Sequence, residues 1–168
     1  MNKNNILEEY KTFNSHLIKK SDELIFHNSK YNKKLYINHN EILSNDLFYV
    51  FLSKDKITFL DENGNFKDLF ISNSFENKIV EKKYMIIGDN KNNNIFINNY
   101  NILNYQNFIP YKIGENTILY NEKNSYLINE DGSIENKQLN NKKVKLFLQI
   151  LDKVGGLENF IYLVATYN

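Results

Sequence analysis

Short runs of aromatic and β-branched residues alternate with polar clusters over most of this chain, from residue 22 to 138. The runs are about four to seven residues long, and the clusters are rich in Asn, Asp, Lys and Gly, which favour reversals of the backbone. Apolar runs this short, bounded by turn residues, are typical of strands. The pattern therefore predicts a mainly antiparallel, meandering sheet of about ten strands.

Within this region the order strand, turn, strand, turn, strand recurs four times, beginning at Glu23, Phe48, Tyr84 and Thr117. Two of the turns, Asn63-Gly64 and Asp131-Gly132, are hairpin signals because Gly and Asn or Asp tolerate positive φ. The intervals between units are unequal, so the chain has no strict repeat period. We predict repeated three-stranded units in one curved sheet. Small blade-like sheets are an alternative, as is the simple recurrence of strand and turn found in any antiparallel protein.

The N-terminal segment shows a different spacing. Ile6, Tyr10, Phe13 and Leu17 are separated by four, three and four positions, which places them on one face of an amphipathic helix. This spacing predicts a helix over residues 4–20.

The C-terminal segment also has helical spacing, and Gly155-Gly156 follows it as a stop signal. The apolar stripe consists of Val144, Phe147, Leu148 and Leu151. It predicts a helix over 141–154 that packs on the sheet. The last segment, 157–168, is apolar in its middle, and its pattern fits a buried strand or a buried helical turn equally well. The predicted fold class is thus α+β, in a single domain spanning 1–168.

Composition narrows the classes of protein. The 168 residues include 21 Lys, 20 acidic residues and 31 Asn, but no Arg and no Cys. A net charge of +1 and a hydrophobic content of 42% argue against intrinsic disorder. The absence of Cys excludes disulfides and thiolate metal sites. The Asn and Lys bias is typical of an AT-rich genome. With no signal-like apolar stretch near Met1, a cytoplasmic location is expected.

The titratable residues show no catalytic pattern. His27 and His39 could face each other across a hairpin and, with Glu41, form a set of two imidazoles and one carboxylate. Both border polar turns, however, where solvated imidazoles are expected, and His16 lies at the edge of the apolar stripe. The loop over 88–94 lacks the glycines and the following helix of a phosphate-binding loop. We therefore predict no catalytic residue, no cofactor and no metal ligand.

Because no catalytic motif is found, a non-enzymatic protein-binding module is the leading hypothesis. Small proteins of AT-rich bacteria, phages or mobile elements that lack such motifs are often inhibitors, of the toxin-immunity or phage anti-defence (anti-CRISPR) type. Aromatic residues are enriched in protein interfaces. The predicted partner-binding tyrosines are Tyr100, Tyr105, Tyr111 and Tyr120.

Nucleic-acid binding is the alternative, since exposed aromatic side chains can stack on bases while Lys contacts phosphates. The most basic stretch contains Lys137, Lys142, Lys143 and Lys145. The near-zero net charge and the absence of Arg, which makes bidentate contacts to bases and phosphates, weigh against this alternative.

Overall fold

The computed structural model describes residues 6–71, 75–99, 101–121 and 123–136, together with 146, 147, 149–151, 153 and 155. Among these residues 56% lie in strands and 5% in helix. The sixteen strands form four antiparallel sheets of four strands each, in which neighbours in space are neighbours in sequence. Each sheet is therefore a simple meander.

The strands are numbered in chain order. Sheet A contains β1 (Ile6–Lys11), β2 (Ser15–Lys20), β3 (Leu24–Asn28) and β4 (Asn32–Leu35). Sheet B contains β5 (Glu41–Ser44), β6 (Phe48–Leu52), β7 (Lys56–Asp61) and β8 (Phe66–Phe70). Sheet C contains β9 (Asn77–Val80), β10 (Tyr84–Gly88), β11 (Asn94–Asn98) and β12 (Ile102–Tyr105). Sheet D contains β13 (Ile109–Ile113), β14 (Asn116–Tyr120), β15 (Ser125–Ile128) and β16 (Ile134–Glu135).

The chain divides into two compact units, Met1–Tyr105 and Gln106–Asn168. Sheets A, B and C belong to the first unit and sheet D to the second. The single domain expected from chain length stays a prediction.

The predicted α+β class is wrong, because strands dominate the described residues and the described part of the predicted N-terminal helix, residues 6–20, contains no helical residue. Residues 6–20 form the hairpin of β1 and β2 instead, with Tyr10 directly opposite Leu17. Tyr10 and Leu17 would lie on one face of a helix, and they also become direct neighbours when the chain reverses between them. Phe13, which a helix would have buried with its neighbours, lies at the turn and is 67% exposed.

The predicted C-terminal helix lies partly outside the described residues. Helical residues occur at 146, 147, 149–151 and 153, and Gly155 follows with a positive φ of 86°. Of the apolar stripe, Leu151 is buried and Phe147 is 40% exposed. The segment 157–168 lies outside the described residues.

The predicted units match three strands of each later sheet. The units that begin at Phe48, Tyr84 and Thr117 correspond to the last three strands of sheets B, C and D. The count of about ten strands and the single curved sheet are wrong. The first strands of the four sheets begin at residues 6, 41, 77 and 109, which is a repeat of about 35 residues. The sequence pattern did not reveal this repeat, because these first strands are short and contain polar residues.

Both predicted Gly turns are confirmed, since Gly64 and Gly132 have φ values of 88° and 84° at the last turns of sheets B and D. Elsewhere Asn and Asp take this role. The side-chain Oδ1 of Asn45 accepts hydrogen bonds from the amides of Leu47 and Phe48, both at 3.0 Å. Asn28, Asp61, Asp89 and Asn121 hold their turns in the same way.

The core of the first unit lies on both faces of sheet B. Side chains alternate between faces along a strand, so β6 directs one set towards sheet A and the other towards sheet C. On the sheet A side, Tyr49 and Phe51 pack with Leu17 and Phe26. The sheet C side contains Phe48, Val50, Leu52, Ile57, Phe59, Met85, Ile87, Ile95 and Ile97. Sheet B is therefore packed between sheets A and C, and every residue of β6 is buried.

Equivalent turns connect these three sheets through the backbone. The amide of Phe13, in the first turn of sheet A, donates to the carbonyl of Asp46 in the first turn of sheet B (2.8 Å). The Asp46 amide donates in turn to the carbonyl of Lys82 in the first turn of sheet C (3.0 Å). These bonds fix the register in which the sheets are stacked.

A polar network also links sheet A to sheet B. The Glu62 carboxylate accepts hydrogen bonds from the Thr12 hydroxyl (2.9 Å) and the Asn14 amide (2.6 Å). Thr12 also hydrogen-bonds to Ser15, whose hydroxyl lies 2.9 Å from the buried hydroxyl of Tyr49. Burial raises the pKa of Tyr49 above its ordinary value. The network therefore holds a neutral phenol where the two sheets meet.

Candidate docking groove

The outer edges of sheets A and B are formed by their fourth strands, β4 and β8. Phe66, Asp68 and Phe70 alternate with Lys67 and Leu69 along β8, so the first three share one face. That face points to sheet A, because Phe66 pairs with Leu60, a member of the core cluster between sheets A and B. The two edge strands therefore present side chains to a common groove.

This groove, the β4–β8 groove, has a volume of about 470 Å³. It is lined by Lys33, Lys34, Leu35, Tyr36, Ile37, Lys56, Thr58, Phe66 and Asp68. Its floor is apolar, since Leu35 is buried and belongs to the core cluster below. Its rim carries the charges.

Aromatic side chains stand exposed along the rim. Tyr36 is 91% exposed and Phe70, just beyond Asp68 on β8, is 78% exposed. Tyr31 and Phe66 are about half exposed. Tyr36 and Phe66 line the groove, Phe70 shares the groove-facing side of β8, and Tyr31 contacts Lys33. Single exposed apolar residues are ordinary, but a group of exposed aromatic side chains at and beside one groove is typical of a binding surface.

The lysines of the groove differ in their partners. Lys34 forms an ion pair with Glu23 at 2.8 Å, and Lys56 lies 3.9 Å from Asp68. The hydrogen bond from Lys34 lowers the pKa of the Glu23 carboxyl, and the same bond raises the pKa of Lys34.

Lys33 has no such carboxylate within ion-pair distance among the described residues. Its ammonium lies instead 5.6 Å from the ring centroid of Tyr31 and 6.0 Å from that of Phe66. Both distances are within the range of a cation–π contact. One lysine charge of the groove is therefore uncompensated.

The described predicted tyrosines lie in two different sheets. Tyr105 is half-buried on β12, whereas Tyr111 and Tyr120 are half-buried on sheet D. The register places the latter two on the same face, because Ile109 pairs with Tyr120 and lies two residues before Tyr111. Their role in binding stays a prediction. Tyr100, Lys137, Lys142, Lys143 and Lys145 lie outside the described residues.

The histidines form a different pair from the one considered above. His27 lies opposite His16 on β2 and Asn32 on β4, so it does not face His39 across the hairpin. The Nδ1 atom of His39 lies 2.8 Å from the carbonyl of Ile37, and its ring contacts Phe51. Within the part of the chain that the structure describes, no three His, Cys, Asp or Glu side chains are grouped to hold a metal ion.

Sequence reasoning missed the aromatic residues of the groove. Phe66 and Phe70 stand on one face of a strand, as core residues would, and Tyr36 lies just after the end of another strand. The Lys and Asp residues between them are the only local signal of an outer strand.

No protein-family model matches this chain, and no curated protein matches it. Similar solved structures include Hsv2p of Kluyveromyces lactis, at 9% identity and a TM-score of 0.39, over 77% of this chain and 49% of that one. The N-terminal domain of Nup159 has 8% identity and a TM-score of 0.44, over 79% and 43%. The AfRom2 CNH domain has 11% identity and a TM-score of 0.40, over 80% and 59%.

The chain thus spans about half the length of these structures. At such low scores the likeness carries no argument about this protein. The described residues include no helix with the length and apolar character needed to cross a bilayer.

Proposed function

We propose that this chain is a protein-binding module and that the β4–β8 groove is its docking surface. The observation that carries the proposal is the exposure of two aromatic side chains beside an apolar floor: Tyr36, which lines the groove, and Phe70, which shares the groove-facing side of β8. Burying such side chains against a partner removes apolar surface from water, and each large aromatic contributes more than most other side chains. Leu35 is already buried within the chain, whereas Tyr36 and Phe70 remain exposed, so a partner could bury them.

The narrower expectation of an inhibitor of the toxin-immunity or anti-defence type stays a prediction. None of the similar structures described above is named as an inhibitor or an immunity protein. The expectation that the chain is not an enzyme also stays a prediction.

Affinity capture from cells of the native host tests the proposal. Stoichiometric partners retained by the wild-type chain should be lost with the double variant Tyr36→Ala/Phe70→Ala. The matched control is Leu7→Ala/Phe13→Ala, which removes two side chains that are 60% and 67% exposed but lie outside the groove. Circular dichroism of all three proteins verifies folding.

A partner retained equally by both double variants would place docking elsewhere on the chain. Loss with the control variant alone would point to the first hairpin of sheet A. Either result would contradict the assignment of the groove.

A further inference from the structure

We infer, building on the proposed function, that the β4–β8 groove takes an extended acidic segment of a partner protein. A carboxylate of that segment pairs with Lys33, and apolar side chains beside it pack on Tyr36 and Phe70. The inference rests on the charge of the groove, the strands that bound it and its exposed aromatics.

The positive charge of the groove favours a negatively charged ligand. Lys34 and Lys56 each have a carboxylate partner, whereas Lys33 contacts only aromatic rings among the interactions described above. An aromatic face attracts the ammonium without neutralising it. The groove thus offers one positive charge beside apolar surface, which is complementary to a carboxylate flanked by apolar residues.

The two edge strands that bound the groove favour a ligand with an extended backbone. Both β4 and β8 are terminal in their sheets, and no described strand pairs with the outer edge of either. Unpaired edges bind extended peptides by backbone hydrogen bonds, while alternate side chains enter neighbouring pockets. Tyr36 and Phe66 provide the apolar contacts for those side chains.

A second copy of the chain fits less well. The two edge strands carry Lys33, Lys34 and Lys67, and lysines on an edge oppose pairing with an identical edge.

A nucleic-acid strand also fits less well. Its binding depends on neutralising several phosphates, and this groove has one uncompensated cation and contains Asp68.

The test uses the full chain and two labelled peptides of about ten residues, one alternating Asp with Leu and one alternating Lys with Leu. Fluorescence polarisation should show binding of the Asp–Leu peptide at concentrations below about 1 mM and weaker binding of the Lys–Leu peptide. Tyr36→Ala/Phe70→Ala should weaken the affinity for the Asp–Leu peptide by about tenfold or more. Lys33→Glu should reverse the preference between the peptides.

Lys83→Glu is the matched control. It makes the same change of charge at an exposed residue in the first turn of sheet C, and binding should be unchanged. Equal effects of Lys33→Glu and Lys83→Glu would show that net charge alone is responsible and would overturn the inference. So would the absence of Asp–Leu binding up to about 1 mM.

Two further outcomes would assign the groove to another ligand. Groove-dependent binding of a short oligo(dT), with a steep salt dependence, would favour nucleic acid. A concentration-dependent dimer lost in Tyr36→Ala/Phe70→Ala would favour a second copy.

The two proposals fail separately. If host proteins are captured through the groove but the Asp–Leu peptide does not bind, the docking function stands and the acidic ligand is wrong. If neither depends on Tyr36 and Phe70, both are wrong.

Discussion

At the scale of single residues, polar side chains have two structural roles in this protein: they close turns, and they form a hydrogen-bond network between sheets. Asn and Asp close turns through their own side-chain oxygens, as Asn45 and Asp89 do. Asn92 adopts a left-handed backbone with φ of 62°, which Asn tolerates better than most residues. The abundance of Asn in predicted turns was therefore a correct guide to local structure. Tyr49 and Glu62, by contrast, are joined by a network that no spacing in the sequence indicated.

Tyr49→Phe is expected to lower the free energy of unfolding by about 1 kcal/mol, because it removes the hydroxyl that hydrogen-bonds to Ser15 inside the core. Urea denaturation followed by fluorescence or circular dichroism measures the change. Tyr31→Phe is the control, since that phenol is half exposed. Equal stability of Tyr49→Phe and the wild type would show that the network contributes nothing.

Stability should fall as pH rises above about 10, the ordinary pKa of a tyrosine. Burial raises the pKa of Tyr49. The pKa of Tyr10 is raised to about 12, mainly by burial and to a smaller extent by its hydrogen bond to Glu8. The folded state therefore keeps protons that the unfolded state has already lost, and each further rise in pH favours unfolding until the folded groups also titrate.

The double variant Tyr10→Phe/Tyr49→Phe removes both groups, so its unfolding midpoint in urea should decline less between about pH 9 and pH 11 than that of the wild type. A decline as steep as that of the wild type would assign the alkaline destabilisation to other groups.

At the scale of secondary-structure elements, strand position within a sheet determines burial more than composition does. β6 and β8 both contain two Phe residues, yet every residue of β6 is buried and β8 is largely exposed. The second strand of sheet B lies between two other sheets, whereas the fourth is an edge. Hydrophobic pattern identified both as strands, and only Lys67 and Asp68 within β8 indicated that it is an outer strand.

Phe51→Ala and Phe70→Ala test this difference in one sheet. Phe51 is fully buried, so its truncation should cost about 3–5 kcal/mol through lost burial and a cavity. Phe70 is 78% exposed, and its truncation should change stability by less than about 0.5 kcal/mol. Chemical denaturation of both variants gives the comparison. Similar losses would mean that β8 is packed as tightly as β6.

At the scale of the whole molecule, the described residues repeat one unit, the four-stranded meander, four times. Within Met1–Tyr105, three of these meanders stack through apolar faces, and equivalent turns are joined by backbone hydrogen bonds. The central strands of sheet B are therefore covered on both faces, whereas its fourth strand is largely exposed.

Hydrogen exchange should reproduce this arrangement. Amides of β6, β10 and β11, which are almost completely buried, should exchange most slowly, and those of β4, β8 and β12 should exchange faster. Mass spectrometry of peptic fragments resolves these strands. Uniform protection across each sheet would contradict the distinction between central and edge strands.

The amino-acid sequence by itself determined most strands between residues 24 and 128 and the Gly turns, because alternation and turn preference act over a few neighbouring residues. It did not separate a hairpin from a helix over residues 6–17, since both structures bring Tyr10 and Leu17 together on one side. Only the tertiary structure decided which aromatics are core and which are exposed. Burial depends on what lies opposite a strand, and the sheets that cover Phe51 but leave Tyr36 and Phe70 open come from distant parts of the chain.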